Sequence, residues 1–102
     1  MHLIQIFLPV RDHNDVAFPK ENYSRIREAL TQKFGGLTAY TRAPAEGLWR
    51  DERNAAHRDD IVIFEVMTAE LHESWWKEYK QQLENAFSQD KIIIRVQNVR
   101  TL

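Results

Sequence analysis

Apolar residues recur along this chain with two different periods, and the switches between them mark the elements. From His2 to Val10 the pattern alternates, with Ile4, Ile6, Leu8 and Val10 on one face and Leu3, Gln5, Phe7 and Pro9 on the other. That predicts a first strand, apolar on both sides. A polar turn, Arg11 to Asp15, follows. Tyr23, Ile26, Leu30 and Phe34 then repeat at helical spacing in a segment that opens at Pro19 and Glu21 and closes at Gly35-Gly36. Alternation returns over Leu37 to Arg42 and again over Asp60 to Met67, where Ile61 to Met67 is rich in β-branched and aromatic side chains. Thr68 is the expected cap of a second helix, in which Leu71, Trp75, Tyr79, Leu83 and Ala86/Phe87 form the stripe. Trp76 flanks that stripe and is expected to be the more exposed of the two neighbouring tryptophans. The helix ends near Ser88, and Lys91 to Val99 alternates as a fourth strand.

The order β-α-β-β-α-β predicts an α+β fold of the ferredoxin-like kind. Two right-handed crossovers share one four-stranded antiparallel sheet of order 4-1-3-2, with both helices on one face. Residues 1–102 read as a single domain, since a chain of this length builds one modest core. Ala43 to Asp59 is too long for a tight hairpin and reads as a loop, a lid or an extended β-arm.

Helices on one side leave the other side of the sheet open. The rows Ile4/Ile6/Leu8, Val62/Phe64/Val66 and Ile92/Ile94/Val96 suit the helix side, so the open face carries Leu3, Phe7, Ile61, Ile63, Met67 and Ile93. Among them stand Gln5, Thr38, Tyr40, Arg42, Glu65, Arg95 and Gln97. Burying each large apolar side chain is worth about 1.5–3 kcal/mol, and contiguous apolar patches mark interaction sites. A second copy is the expected partner, because two-fold dimers dominate soluble oligomers.

The element order, the two-sided strands and the long β2-β3 connection resemble the dimeric α+β barrel superfamily. More narrowly, FGGLTAYTRAPAEGLW, RDDIVIFEVM and YKQQLENAFSQDKIIIR are similar to runs in small bacterial proteins. The resemblance spans nearly the whole chain and implies a homodimer. The superfamily includes cofactor-independent monooxygenases, haem-degrading enzymes and isomerases, but no functional motif of theirs stands in this sequence to be carried over.

Composition narrows the partners. With 43% hydrophobic and 28% charged residues the chain is of ordinary globular make-up. A net charge of −1 lacks the basic excess of a nucleic-acid binder, and the third strand lacks the glycine-and-aromatic pattern of an RNA-stacking sheet. Zero cysteines exclude disulfides and thiolate sites and fit a cytoplasmic protein. The longest apolar run, Leu3 to Val10, is far short of the roughly 20 residues that span a bilayer and lacks the flanks of a signal peptide. No metal or cofactor is expected: His72-Glu73 starts a zinc-protease signature but has Trp76 in place of its second histidine. His57 beside Asp59-Asp60 reads as a solvated turn.

The candidate ligand-binding residues are Tyr40, Trp49, Glu65 and Arg95. Glu65 and Arg95 lie two strands apart with Gln5 between them, within reach of each other over Gln5, and a buried charge needs a partner. Either they form a structural ion pair inside an interface, or Arg95 and Tyr40 bind an anionic or phenolic ligand with Glu65 as base. Trp49 either docks on a partner subunit or covers a pocket. The expected function is a small-molecule-binding or assembly module. The alternative is a cofactor-independent enzyme using the space between sheet, second helix and arm.

Overall fold

A computed structural model describes residues 1–42 and 61–102, with Tyr40 to Arg42 described through their backbone. The elements follow in the order β1 (His2–Pro9), α1 (Lys20–Phe34), β2 (Thr38–Arg42), β3 (Ile61–Thr68), α2 (Glu73–Ala86) and β4 (Ile93–Asn98). One antiparallel sheet runs β2-β3-β1-β4, which from its other edge is the expected order 4-1-3-2. This is the ferredoxin-like fold.

Register places the apolar rows opposite one another. Ile4 pairs with Val66 and Val96, and Ile6 with Phe64 and Ile94. Since side chains alternate across a strand, these rows point to one face. There, except for Val96, which is 41% exposed on the edge strand, they form a core with Ile26 and Leu30 of α1 and Trp76 and Leu83 of α2. Phe87, just past α2, is fully buried and meets Phe18 edge-on at 5.0 Å between ring centroids.

Proline starts α1 and glycine stops it. Pro19 presets φ at −58°, and Gly35 takes a φ of 82° that lets its N–H reach the Thr31 carbonyl at 2.8 Å. The Tyr23 hydroxyl donates to the Pro9 carbonyl at 2.5 Å, tying α1 to the end of β1.

The second helix departs from the sequence expectation in two respects. Thr68 is the last residue of β3, not a helix cap, and its hydroxyl donates to the Glu70 carbonyl. The first helical bond runs from the Trp76 N–H to the His72 carbonyl, so α2 starts about one turn later than expected. Trp76 is buried while Trp75 is only half-buried, the reverse of the expected ranking. The axis of the buried stripe is Trp76, Leu83 and Phe87, and Trp75 and Tyr79 flank it. Trp76 stacks on Phe34 of α1 with centroids 5.4 Å apart, while Trp75 meets the same ring edge-on at 5.6 Å.

Candidate functional site

On the open face the ladder assembles a polar row from four strands. Gln5 of β1 pairs with Glu65 of β3 on one side and Arg95 of β4 on the other, and Thr38 of β2 pairs with Glu65. An apolar row lies next to it, in which Phe7 pairs with both Ile63 and Ile93, and Tyr40 pairs with Ile63. On its other side Leu3 pairs with Met67.

Within the polar row the contacts are divided. The Gln5 amide donates from Nε2 to Glu65 Oε1 at 2.6 Å. Arg95 instead lays its guanidinium over the Phe7 ring, 4.9 Å from the centroid. The ion pair between Glu65 and Arg95 weighed from the sequence therefore does not form among the described residues. Gln5 separates the two charges, and an aromatic face holds the cation.

Of the four candidate residues, the structure brings Glu65 and Arg95 into one row and sets the backbone of Tyr40 in the neighbouring row. Trp49, together with the Ala43 to Asp59 arm, His57 and Asp59-Asp60, lies outside the described residues. The second helix packs on the opposite side of the sheet, through Trp76 and Leu83, so α2 does not wall a site at Glu65 and Arg95 in its own protomer. Ile63 is the one described open-face side chain that is buried, at 1% exposure, whereas Met67 and Ile93 are each 53% exposed.

A larger concavity lies where the open face meets the end of the sheet. Its floor is Phe7, Pro9, Ile61 and Ile93, one wall is the turn after β1 and the other is the loop between α2 and β4, enclosing about 680 Å³. Sequence reasoning missed it. The signal was present in the topology: β1 ends where the antiparallel β4 begins, so Arg11 to Asp15 and Ser88 to Lys91 must share one end of the sheet.

Both walls are held by carboxylates. Asp12 Oδ1 accepts from the backbone N–H groups of Asn14 and Val16 at 2.8 and 2.9 Å. Glu84 Oε2 accepts from the Ile92 N–H and from Lys80 Nζ, both at 2.9 Å. The Lys80 hydrogen bond, then the Ile92 N–H, hold the Glu84 carboxyl below its ordinary value of 4.5. Elsewhere, burial pushes the Tyr79 hydroxyl up to about 12, consistent with its ring stacked on Trp75 at 4.8 Å.

No family model and no curated protein matches this chain. Among solved structures, a phage SAM lyase in complex with S-methyl-5'-thioadenosine is similar over 95% of this chain and 80% of its own, with a TM-score of 0.60 and 15% identity. A variant of CutA1 from Pyrococcus horikoshii OT3 is similar over 100% of this chain and 86% of its own, with a TM-score of 0.56 and 15% identity. What this chain shares with both is the fold.

Proposed function

We propose that this chain is an assembly module that closes its open sheet face on a second copy and holds a small molecule against the polar row. Tyr40, Trp49, Glu65 and Arg95 are its ligand contacts. The observation that carries this reading is the make-up of the face. Met67 and Ile93 are more than half exposed beside half-buried Leu3, Phe7 and Ile61, an apolar surface of the kind that marks an interface. Two-fold pairing of sheets at about 10 Å would enclose Glu65 and Arg95. Among the described residues Arg95 contacts a ring and no carboxylate, which leaves guanidinium donors for an acidic or phenolic ligand. The enzyme alternative rests on likeness of fold, and one fold hosts many functions.

Light scattering tests the assembly. Wild type is expected at about twice 12.1 kDa, and Met67→Asp, which sets a charge on the apolar row, at 12.1 kDa with an unchanged circular dichroism spectrum. A monodisperse wild-type monomer would end the proposal. For the ligand, a thermal-shift screen covers acidic and phenolic metabolites and, beside them, the neutral nucleoside S-methyl-5'-thioadenosine, which the lyase neighbour holds. Shifts in wild type that vanish in Glu65→Leu/Arg95→Met support the site; equal shifts in both, or none in either, reject it.

A further inference from the structure

The cleft at the end of the sheet has features of a built binding site that the polar row lacks, and since its floor is the end of the open face, the inference rests on a pairing that leaves this end uncovered. Its floor is apolar and comes from three adjacent strands: Ile61 of β3, Phe7 and Pro9 of β1, and Ile93 of β4. At about 680 Å³ it lies within the size range of small-molecule pockets, roughly 300–1,000 Å³. Its two walls are fixed in advance, because Asp12 and Glu84 hold the backbone of the flanking loops.

Two cations, Arg11 and Lys91, and two carboxylates, Asp12 and Asp90, line the cleft. Asp12 lines the cleft, but its carboxylate already accepts two backbone N–H bonds. Arg11 donates from Nη1 to the Asp15 carbonyl at 3.3 Å and its Nε stands 3.9 Å from Asp15 Oδ1, with both side chains at least half exposed, a surface contact with which a ligand's acid can compete. Lys91 and His13 are exposed on the rim, with Asp90 as the opposing acid.

Ser88, at the position where helices commonly end in a left-handed residue, brings a hydroxyl to the cleft. It holds a φ of 49° just past the end of α2, where its N–H and that of Gln89 close the helix on Asn85 and Glu84. Glycine is the residue that takes this conformation without penalty, and a side chain there costs about 1 kcal/mol or more. What serine offers and glycine does not is a hydroxyl, and Ser88 lines the cleft.

We propose that this cleft binds a small anion with a flat apolar body, an aromatic carboxylate in type. The ring lies on Phe7, Ile61 and Ile93, while Arg11 and Lys91 receive the acid and the Ser88 hydroxyl donates to it.

Naphthalene-2-carboxylate and its neutral amide serve as probes, titrated into 15N-labelled full-length protein and followed by amide chemical shifts. The carboxylate is expected to saturate, moving the amides of Phe7, Ser88, Lys91 and Ile93, and to bind at least about tenfold tighter than the amide. Arg11→Ala/Lys91→Ala changes only exposed side chains and should remove that preference. Raising salt from about 0.05 to 0.5 M should weaken the carboxylate alone, and this needs no variant. Ser88→Gly should raise the melting temperature and yet loosen carboxylate binding severalfold, a combination that a merely structural serine would not give. Light scattering on the same samples separates loss of the cleft from loss of the dimer. Equal affinities for the two probes, shifts centred away from the cleft, no saturation at millimolar carboxylate, or unchanged binding in the double variant would each overturn the assignment.

Discussion

Glu84 illustrates how one side chain can fix a loop that the pattern of the sequence leaves free. Its position on α2 lets a single carboxylate oxygen accept from Lys80 one turn earlier and from the Ile92 N–H at the entry to β4. Because the folded state holds this carboxyl below 4.5, ionised Glu84 adds stability that is fully present above about pH 4.5. As pH falls through the lowered folded value, that contribution disappears. Glu84→Gln keeps an acceptor for Ile92 but gives up the charge that Lys80 sees. Urea midpoints of wild type and Glu84→Gln should therefore differ at pH 6 and converge toward pH 2. A gap that stays constant over that range would mean the charge has no role. Tyr23 makes a simpler case. Tyr23→Phe leaves the Pro9 carbonyl without its donor and should cost about 1–2 kcal/mol in urea unfolding at unchanged m-value.

At the scale of elements, strands and helix α1 were legible because one local signal settles each. Ile4, Ile6 and Leu8 alternate, and Pro19 and Gly35 bracket α1, so periodicity and backbone preference agree. The second helix was less legible because two signals competed. Thr68 is a good capping residue by type, but β3 pairing extends through it to His2, and its hydroxyl turns to Glu70. Trp75 and Trp76 lie within one turn of each other and both fit an apolar stripe. Phe34 meets both rings, Trp76 stacked and Trp75 edge-on, and which of the two goes inside is decided by tertiary packing that spacing does not encode. The site was legible to a similar depth. Strand order placed Glu65, Gln5 and Arg95 in one row, whereas the choice of Phe7 over Glu65 as the partner of Arg95 depends on side-chain geometry that no spacing encodes. The late start of α2 leaves His72 at the N-cap without a side-chain hydrogen bond. His72→Asn should supply one and stabilise the protein by about 0.5–1 kcal/mol. Thermal unfolding checks this, and an unchanged midpoint would show that the first turn is satisfied by other means.

For the whole molecule, the question is where the two-sided sheet places its second apolar face. The centre of the helix side is closed by its own protomer, with Ile4, Ile6, Leu8, Leu30 and Phe64 fully buried and Val96 exposed at the β4 edge. Substituting any of them, Leu30→Ala for example, should cost about 2–5 kcal/mol, whatever the oligomeric state. The open side is different, since Met67 and Ile93 are each 53% exposed within the protomer. If a second copy covers them, folding and association are linked, and stability must depend on concentration. Raising protein concentration 100-fold adds about 2.7 kcal/mol per dimer. With an unfolding entropy of about 2 cal/mol/K per residue, two chains of 102 residues would shift their melting temperature by about 6 °C. Scans at about 1 and 100 μM should show that rise in wild type, and Met67→Asp should melt at one temperature at both concentrations. A wild-type midpoint that does not move across this range would assign the open face to some occupant other than a second copy.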